Sequence, residues 1–290
     1  MLRPALALLV NACVWGVSWW PFRELAARGL HPLWATALIY LLAVVAITIA
    51  RPRAWSSLLS TPVLWVLLLA SGTTNAAFNW AVTLGDVVHV ILLFYLMPVW
   101  AVLLARTLLG EPVTGGALLR VGLALAGAAV VLGPAAGGWP LPRTLADTLG
   151  LVGGFSFALN NVMLRREARR PEEARALAMF LGGAIVAAAL ALGQQIALPP
   201  AAAPGWMIGA LAMGAAFLLG NLSLQYGAAR LPANVTAVVM ISEVLFASAS
   251  AVALGAGRLT APLLAGGALI VAATVLAATG TRLPRGAPAG

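Results

Sequence analysis

Apolar residues run through this chain in blocks of roughly 20, each closed by Pro, Gly or Arg, and those blocks set its first reading. They fall at residues 4–22, 33–50, 63–84, 87–105 and 117–132, then at 145–164, 174–198, 205–227, 233–254 and 262–279. A helix of about 20 apolar residues crosses a hydrocarbon layer of about 30 Å, and in that layer only a helix or a closed barrel satisfies its own backbone. The pattern predicts an all-α integral membrane protein with ten transmembrane helices. The block at 233–254 is expected to cross as one helix, with a carboxylate, Glu243, in its middle.

The blocks come in two sets. A shift of 145 residues lays Leu109-Gly110 on Leu254-Gly255, Leu118-Leu119 on Leu263-Leu264, Gly122 on Gly267 and Ala128 on Ala273 without a gap. The same shift sets His89 on Asn234, Pro98 on Glu243 and Trp80 on Gln225. Five spans is an odd number, so a second copy enters the membrane upside down relative to the first. That is the inverted-repeat plan of secondary transporters, whose substrate sites lie near midplane where the repeats meet. The expected units are a first five-helix repeat at 1–137, a linker at 138–145, a second, inverted five-helix repeat at 146–281, and a cytoplasmic tail at 282–290.

Composition narrows the class. Hydrophobic residues fill 62% of 290 positions and charged ones 9%, and the mean hydropathy is +1.00, which excludes an ordinary soluble domain. All 17 cationic side chains are Arg; without Lys there is neither a Walker A lysine nor a retinal Schiff base. The single cysteine, Cys13, allows no disulfide framework and no cysteine metal site. The first apolar block has no small-residue cleavage site after it and reads as a retained span. With the N-terminus inside, thirteen Arg fall on the inner side, and only Arg23, Arg28, Arg143 and Arg258 on the outer. Both termini are therefore expected in the cytoplasm, in a bacterial-type inner membrane. The +9 balance reflects that anchoring, and the Arg165 to Arg175 stretch reads as a solvated loop. The expected partners are a small-molecule substrate and the lipid bilayer, not nucleic acid. No cofactor or metal is implied, and oligomeric state is left open.

Residues 79–114, NWAVTLGDVVHVILLFYLMPVWAVLLARTLLGEPVT, with the Gly-rich 118–132 after them, resemble the EamA-type repeat of the drug/metabolite transporter superfamily. Residues 224–276 look like a second copy. Family repeats carry a proline midway along this span and a Gly-Glu at its end, matched by Pro98 and by Gly110-Glu111. The second copy departs from both, with Glu243-Val244 at the first position and Gly255-Ala256-Gly257 at the second. The resemblance implies a ten-helix exporter of small metabolites or drugs, not an enzyme, most like the aromatic amino-acid exporters of the superfamily.

The polar residues inside the blocks are the candidate site. A mid-membrane acid costs on the order of 2.5–3.5 kcal/mol, so Glu243 should face a polar cavity or a partner; a protonated, hydrogen-bonded acid is the structural alternative. Asn11, Trp15 and Trp19 share one helical face at four-residue spacing, although tryptophans near span ends also serve as interfacial anchors. Asn75 and Asn79, and Asn221 and Gln225, repeat that spacing, and Asn160 adds an amide at similar depth. Such amides either hold substrate or join helices at about 0.6 kcal/mol each. Tyr95 and Trp80 are candidate lining, Pro98 a candidate hinge, and His89 and Glu243 candidate proton-coupling groups. On polar content, spans one, three, four, six, eight and nine should surround the cavity, with two, five, seven and ten outside it. For an aromatic amino acid, Glu243 would meet the ammonium, the amides the carboxylate and the indoles the ring. A multidrug exporter of aromatic cations is the competing carrier. An intramembrane serine protease lacks a Ser-His pair, a pore lacks rings of like charge, and the absence of a mid-membrane Arg argues against phosphate substrates.

Overall fold

The computed structural model describes residues 2–84, 87–136, 142–200, 204–256 and 258–279, without the side chains at 79, 82, 83, 87–89, 133–136 and 204. The proposed linker is thus described only from residue 142, and the proposed tail lies outside the described residues. Every apolar block is helical, and no strand occurs among the described residues. In chain order the helices are α1 (Leu2–Val17), α2 (Trp19–Ala27), α3 (Pro32–Ala50), α4 (Arg53–Leu59), α5 (Val63–Leu84), α6 (Val87–Phe94) and α7 (Met97–Leu109). They continue with α8 (Gly115–Ala136), α9 (Leu145–Arg166), α10 (Glu172–Gly193), α11 (Pro204–Ala228), α12 (Ala233–Met240), α13 (Glu243–Ala253) and α14 (Ala261–Thr279).

Three blocks are interrupted. The first divides at Ser18, the fourth at Tyr95-Leu96 and the ninth at Ile241-Ser242, which corrects the expectation that 233–254 forms one helix. Pro98 accounts for the fourth, since it has no N–H for the Phe94 carbonyl. Nothing comparable marks the ninth in sequence. There the Ser242 hydroxyl donates to the Val239 carbonyl at 2.6 Å, and the Ile241 and Ser242 N–H groups reach back only three residues, to Val238 and Val239. The tightened turn satisfies its backbone locally, as a broken helix must within a membrane. The seventh block is shorter than expected: α10 stops at Gly193, not at 198, because Gln195 takes a left-handed backbone at φ 54°.

Among the described residues, eight helical segments qualify as membrane spans by length and apolarity, or nine if α4 and α5, bent by 100°, count as one. The 22-residue α9 does not qualify. It carries Asp147, Asn160, Asn161, Arg165 and Arg166, so its deficit is one of apolarity and not of length.

The two halves interlock. Helix α1 packs on α11, α12 and α13; α3 on α10; α5 on α9 and α10; α7 on α9 and α12; and α8 on α14. With no water to expel between helices, close backbone approach holds such contacts together. A Cβ on Gly127 would lie 2.7 Å from the Gly266 carbonyl oxygen, and one on Gly266 would lie 2.5 Å from that of Gly127. The α8–α14 seam is set by this pair.

Candidate functional site

Helix α1 brings Asn11 and Trp15 to the molecular interior on one face. At its end the Ser18 hydroxyl donates to the Trp15 carbonyl at 2.7 Å, closing the break before α2. Gly16 then decides what α1 meets. A Cβ there would lie 2.6 Å from the Glu243 carbonyl oxygen and 2.7 Å from the Phe246 Cβ, so the start of α13 rests directly on α1. Trp19 on α2 reaches across to donate to the Ser250 hydroxyl at 2.9 Å. These contacts place Glu243 at a helix break on the wall of a cavity of about 760 Å³ that Asn11 and Trp15 also line.

The predicted residues Asn11, Trp15, Trp19, Asn75, Tyr95, Asn160, Asn221 and Glu243 all line this cavity. Glu243 does not turn toward lipid. Trp80 and Gln225 do not line it, and the expectations for them are corrected. Trp80 lies five residues past Asn75, off the face that Ser71, Asn75 and Phe78 share on α5. Gln225 is fully buried; with its amide turned to suit its neighbours it donates to the Glu172 carbonyl at 3.2 Å and accepts from the Ala176 N–H at 3.3 Å, joining α11 to α10. Pro98 is buried at the start of α7 and is not a lining residue. The side chains of Asn79 and His89 lie outside the described residues.

Hydrogen bonding separates the amides into two kinds. Asn75 is satisfied within the protein: its carbonyl accepts from the Tyr40 hydroxyl at 3.2 Å and its nitrogen donates to the Ser71 carbonyl at 3.0 Å. Asn221 is likewise engaged within the protein, its amide bonded to that of Gln225 at 2.7 Å. Asn11, 1% exposed, has no partner on either amide atom, and the Asn160 carbonyl oxygen has none either. A buried polar atom left unpaired costs about 1–3 kcal/mol, so the Asn11 amide and the Asn160 oxygen are the lining amide groups that the described residues leave unsatisfied.

Aromatic rings form the remaining walls. On one side Phe217 meets Trp15 edge-on at 4.6 Å between centroids, with Tyr40 and Phe22 within 6.1 Å of it and Phe180 at 5.2 Å from Tyr40. On the other, Phe94 meets Phe78 at 5.1 Å, Phe157 at 5.9 Å and Tyr95 at 6.1 Å. This corrects the six-helix partition. Helices α3 and α10, the second and seventh blocks, supply Tyr40, Met179 and Phe180, whereas α8 and α14 supply nothing. A search for buried amides passes over walls made of rings.

The cavity is open at one end. Asn11, Tyr40, Ser71 and Met240 are buried, whereas Arg23 and Ala256, at the other extreme, are exposed and form the mouth. Arg23 continues the four-residue register of Asn11, Trp15 and Trp19, a signal present in the sequence. Away from the mouth the structure is shut. Gly110, left-handed at φ 68°, ends α7 and turns the chain so that Glu111 accepts from the Ala233 N–H, the first of α12, at 3.3 Å. Arg165 at the end of α9 lies 4.0 Å from Glu111 and donates to the Ala229 carbonyl at 2.6 Å. Burial pushes the Glu111 carboxyl up, against the Ala233 N–H and the Arg165 charge, which hold it down. His31 sits in a loop as expected, where its Nδ1 accepts from the Leu33 N–H at 3.2 Å and caps α3; burial lowers its pKa. Among the described residues no cluster of ligands able to hold a metal occurs.

Apolar helices of membrane length gathered round a polar-and-aromatic cavity define a multi-pass membrane protein. The EamA-like transporter family model matches residues 2–133, so the chain is similar to those transporters over that stretch. A solved crystal structure is similar over 95% of this chain and 96% of its own, at a TM-score of 0.78 and 22% identity; that likeness concerns the fold alone. No curated protein matches the chain.

Proposed function

We propose that this protein is a secondary exporter of amino acids, with a preference for aromatic ones, working by alternating access across ten spans arranged as two inverted repeats. The observation that carries the reading is the setting of Glu243: one carboxylate at a helix break, in a cavity that it shares with the unpartnered amide of Asn11 and two clusters of aromatic rings. Glu243 receives the ammonium, Asn11 and Asn160 orient the polar end, and the rings of Trp15, Phe217 and Phe94 face the side chain. Glu243 is also the group for proton coupling.

The helix pairing supports the repeat. Exchanging each span for the one five places on turns the α1–α11 contact into α9–α5 and the α1–α13 contact into α9–α7. The same exchange returns α3–α10 and α8–α14 to themselves and turns α5–α10 into α11–α3, which is also present. A pattern that maps onto itself is what two copies related by a two-fold axis produce, and it requires α9 to count as a span despite its polar residues. With the N-terminus inside, the Arg23 mouth faces outward and the Glu111–Arg165–Ala233 contact closes the cytoplasmic end. Transport then requires that contact to part as the mouth closes.

Counterflow of labelled phenylalanine into proteoliposomes tests the reading. Saturable exchange is expected for the wild type and none for Glu243→Gln; unchanged flux in the variant overturns the role given to Glu243. The same carboxylate and rings also fit a multidrug exporter of aromatic cations, held by charge and cation–π attraction. Exchange of such cations with none of phenylalanine would favour that second reading.

A further inference from the structure

Among the residues lining the cavity, two carry a formal charge: Glu243 within it and Arg23 at its mouth. They lie along one wall. Gly16 fixes the level of Glu243 on α1, and Arg23 stands seven residues further along the chain, on α2 beyond the break at Ser18. Arg28 is an internal control. Five residues beyond Arg23, at the end of α2, it is committed to the protein and donates to the Gly205 carbonyl. Arg23 has no hydrogen-bond or ion-pair partner among the described residues, and it faces a chamber walled by rings. Low-dielectric walls focus the field of a charge at an opening, and a guanidinium presents paired donors that match a carboxylate.

We propose that Arg23 is the specificity-determining residue of the cavity, receiving the carboxylate of a substrate whose ammonium goes to Glu243. The inference rests on the amino-acid reading above and deepens it. The two charges together make the chamber electrically neutral, matched to a zwitterion, whereas a simple aromatic cation entering by the mouth meets a like charge. The recognised class is aromatic compounds carrying both an amine and a carboxylate, in preference to the amine alone.

Binding to the purified, detergent-solubilised protein tests this without presuming transport. Three probes are compared: phenylalanine, phenethylamine, which lacks the carboxylate, and 3-phenylpropionate, which lacks the amine. The wild type should bind phenylalanine at least about tenfold more tightly than phenethylamine. Arg23→Gln should erase that ratio and the binding of 3-phenylpropionate while binding phenethylamine at least as tightly as the wild type, since a like charge is gone, which also reports that the variant is folded. Arg23→Lys should restore part of the ratio. A wild-type ratio that survives in Arg23→Gln overturns the role of Arg23 and leaves the amino-acid reading standing. Equal loss of all three probes in Arg23→Gln assigns it a structural part and overturns the proposal. Binding of phenethylamine alone by the wild type overturns both this inference and the amino-acid reading, in favour of the cation exporter.

Discussion

The two broken spans, α6–α7 and α12–α13, occupy equivalent places in the chain and divide the work between them. Both are interrupted at nearly the same register, at Tyr95-Leu96 and Ile241-Ser242, and both end on a left-handed glycine, Gly110 at φ 68° and Gly255 at φ 72°. The first breaks because a proline withholds a donor; the second breaks without one, by a serine hydroxyl that satisfies a carbonyl. Just after the break the first has Pro98 and the second Glu243. Just after the terminal glycine the order reverses, with Glu111 in the first, latched to α12, and Ala256 in the second, at the open mouth. One copy holds its acid in the closed end and the other in the cavity, and the molecule is open on the side where the equivalent acid is missing.

The sharpest way to break this comparison is to write one copy into the other. Glu243→Pro should lower counterflow by about 100-fold, the scale of losing one partner of a buried charge contact. Its melting temperature should stay close to that of Glu243→Gln, because the backbone there is already interrupted. A large further drop in melting temperature would show that the two breaks are not equivalent.

Gly16→Ala comes next. The added Cβ meets the Glu243 carbonyl oxygen at 2.6 Å, and relieving the clash by moving α1 off α13 should cost about 1–3 kcal/mol, read as a lower denaturation midpoint together with weaker substrate binding. Ser242→Ala should cost about 1 kcal/mol by removing one of the two hydrogen bonds that the Val239 carbonyl accepts from Ser242; no equivalent change exists in the first copy, where Met97 stands at that position. Glu111→Gln removes the charge facing Arg165 and the α12 N-terminus, an interaction of about 0.5–1 kcal/mol. It should raise thiol labelling of a cysteine placed at Ala229, on the closed side, by a few-fold in a Cys13→Ala background. Unchanged labelling would remove the latch from the transport cycle.

The smallest effect lies at His31. Because burial lowers its pKa, the unfolded chain takes up a proton near the ordinary value of about 6.5 that the folded chain refuses. Stability from the His31 cap is therefore whole above that pH and is lost as pH falls through and below it. On a partly exposed residue this amounts to roughly 0.5 kcal/mol, visible as a melting temperature that declines between pH 8 and 5.5. His31→Asn, a cap that does not titrate, should flatten that decline.

Much of this architecture was legible in residue order. Apolar blocks end where helices end because the transfer cost of each residue is nearly independent of its distant neighbours, and Glu243 stood out since a charge inside such a block must be accommodated. The one-turn spacing of Asn11, Trp15 and Trp19 placed them on a common face for the same local reason. The break at Ser242 could not be read this way, because a serine in an apolar block forms either a helix or a tight turn according to what packs against it; here Gly16 brings α1 onto that turn. Nor could Gln225 be told from Asn11. Both are amides at similar depth, and only the rotation of each helix about its own axis decides that one finds α10 and the other finds the cavity. The ring walls from Tyr40 and Phe180 were hidden because apolar residues carry no mark of which side they face. Sequence alone determined a helical membrane protein with a lone mid-span acid, since hydropathy accumulates along the chain; tertiary structure decided which polar atoms go unpaired, since pairing depends on helices brought together from opposite ends of it.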